Sequence, residues 1–306
     1  TGTNNTLVGA NTGDAITTGF DNVAIGRSAL TTEDTGRKNV AIGSSALESQ
    51  NSDADNFNVA VGFEAGKEVT TGTENTLIGG LAGDALTDAD FNVAVGVAAL
   101  SADTLGSKTV AIGTGALQTQ NFTTATDTFN SAVGYLAGSA VTTGVHNTLL
   151  GGLAGDAITT GDSNTFLGKG AGSSTTTPDN NTGVGRDALF TNTTGSLNTA
   201  VGTSAMYYNT SGVNNTAVGK SALDANTTAN NNTAVGNACL DANTTGAGNS
   251  SLGASSLGAN TTGSENVAVG IGALVANTTA SNNTGLGSNA LGANTTGTNN
   301  TAMGQN

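Results

Sequence analysis

The sequence has no tryptophan, one proline, one cysteine and one histidine in 306 residues, and aromatic residues make up 4% of it. So few large side chains exclude a thick globular core; whatever core exists is thin and built from small residues. One cysteine excludes an intrachain disulfide and leaves the redox compartment open. Basic residues are scarce too. Eight Lys and Arg stand against 22 Asp and Glu, a net charge of −14, with the acids denser in the first half. No basic patch can neutralise phosphates, so nucleic acid is not expected as a partner, and the acidity serves solubility. No apolar run approaches the roughly 18 residues of a membrane-spanning helix, and no signal-peptide pattern is visible, so no membrane insertion is expected.

What is abundant is glycine, 46 residues, together with asparagine and threonine in a fixed order. A phrase close to "NTAVGxxALxxNTTG" recurs from end to end. With the Val of "NTAVG" as position zero, it occurs 18 times, from Val8 to Met303. The spacing is 17 residues except at two intervals, 19 from Ile42 to Val61 and 21 from Ile112 to Val133. Such order separates the chain from a disordered linker and marks a solenoid, each copy being one rung.

The residue after zero is Gly in all 18 copies, which fits a tight corner. Position minus three is Asn in every copy but the one with Thr109. Stacked Asn at one corner can form a hydrogen-bonded ladder and also tolerates left-handed turns; Asn215 and Asn232, with Gly219 and Gly236, represent this structural ladder. Positions minus two and zero are aliphatic or β-branched, a period of two, and the glycines and Asn-Thr-Thr-Gly turns leave no room for a helix. The expected fold is all-β: a parallel β-solenoid, or β-roll, of about 18 rungs with a 17-residue repeat. One domain covers 1–306, with mixed rungs over 1–166, a joint over 167–183 and uniform rungs over 184–306.

In most rungs position +5 is Leu or Met and +8 is polar; in five the pair is inverted, as in Gly66 with Val69 and Gly155 with Ile158. One large side chain per rung is what a narrow core requires. The rung with Gly172 and Thr175 breaks this rule and carries the only proline, Pro178. With minus two and zero assigned to the core, position minus one points outward. It is small or apolar and never charged, so Ala200, Ala217 and Ala234 are expected to form an inter-subunit face in a homo-oligomer.

"NVAIG" at 22–26 and 39–43 and "NVAVG" at 58–62 resemble the head repeats of trimeric autotransporter adhesins, and the longer phrase resembles repeats of phage and bacterial tail-fibre and appendage proteins. The resemblance implies a homotrimeric roll with an adhesive or structural role, placed outside the cell, on its surface or on a virion. The period here is longer than in the adhesin heads, and the Asn-Thr-Thr-Gly turn is added.

Groups with chemistry are few. His146 and Cys239 stand alone and are expected as a turn residue and a buried inert thiol, and the acid pairs near Asp53 and Asp88 do not fit a calcium loop. No catalytic residue, cofactor site or metal site is expected, and the chain is not expected to be an enzyme. Binding loops are expected at the two insertions, with Asp53, Asp55 and Phe57 in one and Phe122, Asp127 and Phe129 in the other, and at Tyr207 and Tyr208. The expected function is a structural or adhesive fibre segment, its partners copies of itself and a cell-surface receptor or glycan. The alternatives are a subunit of a head-to-tail extracellular filament, suggested by ends without caps, and an ice-binding solenoid, suggested by the stacked Thr residues.

Overall fold

The computed structural model describes residues 2–305. The chain divides into two compact units, 1–152 and 153–306. Each is a parallel β-solenoid, and no helix occurs among the described residues.

In the first unit nine three-residue strands, one per rung, stack in sequence: β1 (Thr6–Val8), β2 (Val23–Ile25), β3 (Val40–Ile42), β4 (Val59–Val61), β5 (Thr76–Ile78), β6 (Val93–Val95), β8 (Val110–Ile112), β10 (Ser131–Val133) and β11 (Thr148–Leu150). A two-residue pair, β7 (Gly106–Ser107) with β9 (Thr126–Asp127), braces the longer insertion. The second unit stacks β12 (Thr165–Leu167), β13 (Thr182–Val184), β14 (Thr199–Val201), β15 (Thr216–Val218), β16 (Thr233–Val235), β17 (Ser250–Leu252), β18 (Val267–Val269), β19 (Thr284–Leu286) and β20 (Thr301–Met303). Register is strict: position zero of one rung pairs with position zero of the next, as Val201 with Val218 and Val218 with Val235.

Three backbone features close each rung. The glycine after zero bends the chain at φ near 140°, as at Gly219 (139°), where it lies against the corner carbonyl of the next rung. Positions minus four, +3 and +5 take left-handed φ even when they are not glycine; Leu223 sits at 54°. Such a conformation costs a non-glycine residue about 1–2 kcal/mol, and it is held by regular inter-rung hydrogen bonds such as Leu223 N–H to Cys239 O at 2.9 Å.

The core overturns one expectation. Position minus one is inside and position zero outside: Ala217 is 0% exposed and Val218 is 37% exposed. Ala200, Ala217 and Ala234 are therefore core residues, not an inter-subunit face. The reason is volume. The interior of a rung already holds Ala at +4 and Leu or Met at +5, as Ala222 and Leu223, both fully buried. The strand, half a layer thick, can add only a methyl, and its β-branched residues turn out.

The same volume rule resolves the irregular rungs. Where minus one is large, +5 is glycine. The Leu77 side chain occupies the space a Cβ would need at Gly83 and at Gly66, and Val69 and Leu86 at +8 close the remainder. At the rung with Gly172 the filler is Phe166, fully buried, whose ring lies 2.3 Å from where a Gly172 Cβ would stand. The ladder runs through residues 167–183 in unbroken register from β12 to β13 to β14.

Candidate functional site

Two hydrogen-bond ladders organise the corners that present the outer surface. At position minus three each Asn Oδ1 accepts the backbone N–H of the Asn one rung on: Asn215 N–H to Asn198, and Asn232 N–H to Asn215, both 3.0 Å. The Asn215 amide donates to Ala229 O at 2.8 Å. At Thr109 the ladder is patched by Thr128 from the second insertion, the two hydroxyls 2.7 Å apart. A second ladder at +8 runs through Asn192, Asn209, Asn226, Asn243, Asn260 and Asn277, each amide reaching the previous Oδ1, as Asn226 to Asn209 at 2.7 Å. The recurring "NTT" is its signal in the sequence, the Asn of the triplet being the polar +8 residue that accompanies Leu or Met at +5.

The insertions, at residues 51–57 and 121–129 of the first unit, are built to one plan. Each rests on a buried carboxylate at +8 of the preceding rung. Glu33 accepts Gly36 N–H at 2.7 Å, Ser52 N–H at 3.4 Å and the Asn56 amide at 3.1 Å. Asp103 accepts Gly106 N–H at 3.1 Å, Phe122 N–H at 3.0 Å and the Gln120 amide at 2.6 Å. Burial pushes both carboxyl groups above their ordinary values, and the donors only temper it. Neither acid was singled out from the sequence, although each replaces the Asn or Gln of its column just before an insertion.

The outer surface of each insertion repeats a Lys, Asp and Phe group. Lys38 bonds Asp55 at 2.6 Å and lies 4.8 Å from the Phe57 ring centre; Lys108 bonds Asp127 at 2.5 Å and lies 5.4 Å from that of Phe129. The hydrogen bond from Lys38 holds the Asp55 carboxyl below its ordinary value. Phe129 also stacks on His146, 5.8 Å between centroids. Asp53 is exposed and accepts the Thr35 hydroxyl. Phe122 departs from the expected loop surface: it is 7% exposed, turned inward as the plug of its loop, and offers nothing to a ligand. In the second unit Tyr207 stacks on Phe190 at 5.0 Å and meets Tyr208 edge-on, so this pair forms an aromatic ribbon on neighbouring rungs. The structure thus gathers Asp55 with Phe57 and Asp127 with Phe129, each around a lysine.

The broadest surface feature is the column at position zero. Ile25, Ile78, Ile112 and Leu150 in the first unit and Leu167, Val218, Leu252 and Leu286 in the second all lie exposed on the strand face. No polar side chain interrupts position zero in any rung.

Chemical groups are sparse elsewhere. Cys239 is buried, its thiol pushed up by burial and donating to Ser251 Oγ at 3.1 Å. Among the described residues no three His, Cys, Asp or Glu side chains are placed to hold a metal ion. A hollow of about 490 Å³ lined by Ala290, Leu291, Asn294, Ala302 and Met303 carries no ionisable side chain. Compared with protein-family models, curated proteins and solved structures, the chain matches none of them.

Proposed function

We propose that the chain is a structural or adhesive fibre segment, of an extracellular, cell-surface or virion appendage, that works as an assembly with copies of itself. The observation that carries this reading is the aliphatic column at position zero, exposed or half-buried on every rung of both units. An apolar ridge along each unit is costly in water, and a partner with the same repeat can cover it. The likeness of "NVAIG" and "NVAVG" to trimeric adhesin heads and tail-fibre repeats points the same way. Recognition of a receptor or glycan belongs on this reading to the Lys, Asp and Phe groups of the two insertions. The role is mechanical rather than catalytic.

Ice binding has weaker support. The Thr hydroxyls at +9 donate to backbone carbonyls of the next rung, as Thr227 to Thr244 O at 3.1 Å and Thr193 to Thr210 O at 3.0 Å, and are not free to order water. Light scattering after size exclusion, with electron microscopy of the full chain, tests the proposal. Particles of fixed stoichiometry above one support it; indefinite fibres favour the head-to-tail filament; monomers at every concentration refute both.

A further inference from the structure

Beside position zero, across the corner glycine, position +2 of the first unit alternates in bulk. From β4 to β11 it reads Phe63, Gly80, Val97, Thr114, Tyr135, Gly152. The bulky members stand clear of the surface, 55%, 54% and 61% exposed at Phe63, Val97 and Tyr135. The gaps between them are open: a Cβ added at Gly80 or Gly152 would meet only one carbonyl oxygen, 3.9 Å away. Position zero alternates in the opposite phase, Val61, Ile78, Val95, Ile112, Val133, Leu150, so the longer aliphatic always lies beside the smaller +2 residue. No residue at minus two, zero or +2 in these six rungs is charged.

We propose that this face of the first unit pairs with a second copy of the same chain in an antiparallel two-fold contact, bulky +2 residues seating in the partner's gaps. The inference rests on the self-assembling reading above and names its contact. A two-fold axis between the rungs of Val97 and Thr114 brings Phe63 onto Gly152 of the partner subunit, Tyr135 onto Gly80 of the partner subunit, and Val97 onto Thr114 of the partner subunit. The same operation sets Val61 against Leu150 and Val133 against Ile78, a short side chain opposite a long one each time. A parallel two-fold would instead stack Phe63 on its own copy and leave glycine facing glycine. A parallel contact shifted by one rung fits the knobs but does not close on itself. Six rungs about 4.8 Å apart make the face roughly 29 Å long, on the order of a few hundred Å² per copy. That is the scale of a reversible pairing rather than an obligate one. Both copies are acidic, with a net charge of −14 each. Screening by salt therefore strengthens the pairing.

Sedimentation velocity of the full chain across concentration and salt tests this. Gly80→Tyr blocks a gap and Tyr135→Gly removes the knob that fills it; each weakens association about tenfold or more. The two together exchange knob and gap and restore association to within a few-fold of the original. If the double variant associates no better than either single variant, or if Gly80→Tyr changes nothing, the antiparallel geometry falls while self-assembly stands. A folded chain that remains monomeric at all concentrations and salts overturns the contact and the self-assembling reading together.

Discussion

Substituting Ala for Gly219 tests the corner that every rung shares. The added Cβ would stand 2.4 Å from Gly236 O and 2.6 Å from Gly236 C, against an ordinary contact of 3.4 Å or more. Relief requires the two rungs to part by about 1 Å at that corner, because the obstruction is backbone and no side chain can swing away. The bonds flanking the corner, Gly236 N–H to Val218 O at 2.8 Å and Ala238 N–H to Lys220 O at 3.0 Å, would stretch beyond bonding range. Their loss costs about 1–3 kcal/mol each where the groups stay buried, and φ near 139° adds about 1–3 kcal/mol for a residue with a Cβ. A destabilisation of about 3–9 kcal/mol follows, read by urea unfolding monitored by circular dichroism. Gly304→Ala is the control, since its φ is 126° but nothing lies within 4 Å of the new Cβ, leaving only the conformational cost. Should Gly219→Ala unfold within about 0.5 kcal/mol of the parent, or Gly304→Ala prove equally damaging, the corner is not what holds the rungs together.

Two further outcomes follow from the core and from the insertions. Phe166→Ala should cost about 3–5 kcal/mol by opening a void beside Gly172, and adding Gly172→Leu, which recreates the Ala and Leu pairing of the regular rungs, should recover most of it in the same urea titration. Glu33 and Asp103 are held above their ordinary values, 4.5 and 3.8, so their neutral forms favour the folded state. That stability is complete below the ordinary values and is lost as pH rises through the raised ones; Glu33→Gln with Asp103→Asn should flatten the rise in stability on acidification, measured by unfolding from pH 7 down to about 4.

The period, the strand type and the invariant corner glycine were all legible in the sequence, because each is a local demand repeated often enough to stand out. The parity of the strand was not. Hydrophobicity ranks Val218 above Ala217, and a sequence pattern carries rank but not volume. Only with Leu223 and Ala222 placed does it become plain that one methyl is all the strand can add inside. The same blindness hid Phe166 as the filler of the irregular rung, since the space it takes is left by Gly172 and Gly183, six and seventeen residues further on. The insertions were visible as extra length, and their Phe57 and Phe129 do stand outside. Phe122 was indistinguishable from them because its inward turn is set by the bond of its N–H to Asp103, a contact between rungs. The solvent-facing apolar row is likewise displaced by one residue from the expected alanine row.

Thiol labelling tests that one-residue displacement most directly. In a Cys239→Ala background, single cysteines are placed at Ala217 and at Val218 and modified with a small maleimide in dilute, native solution. The thiol of Val218→Cys should react at the rate of an exposed group and that of Ala217→Cys only upon unfolding. Fast labelling at 217 with protection at 218 would contradict the fold as described.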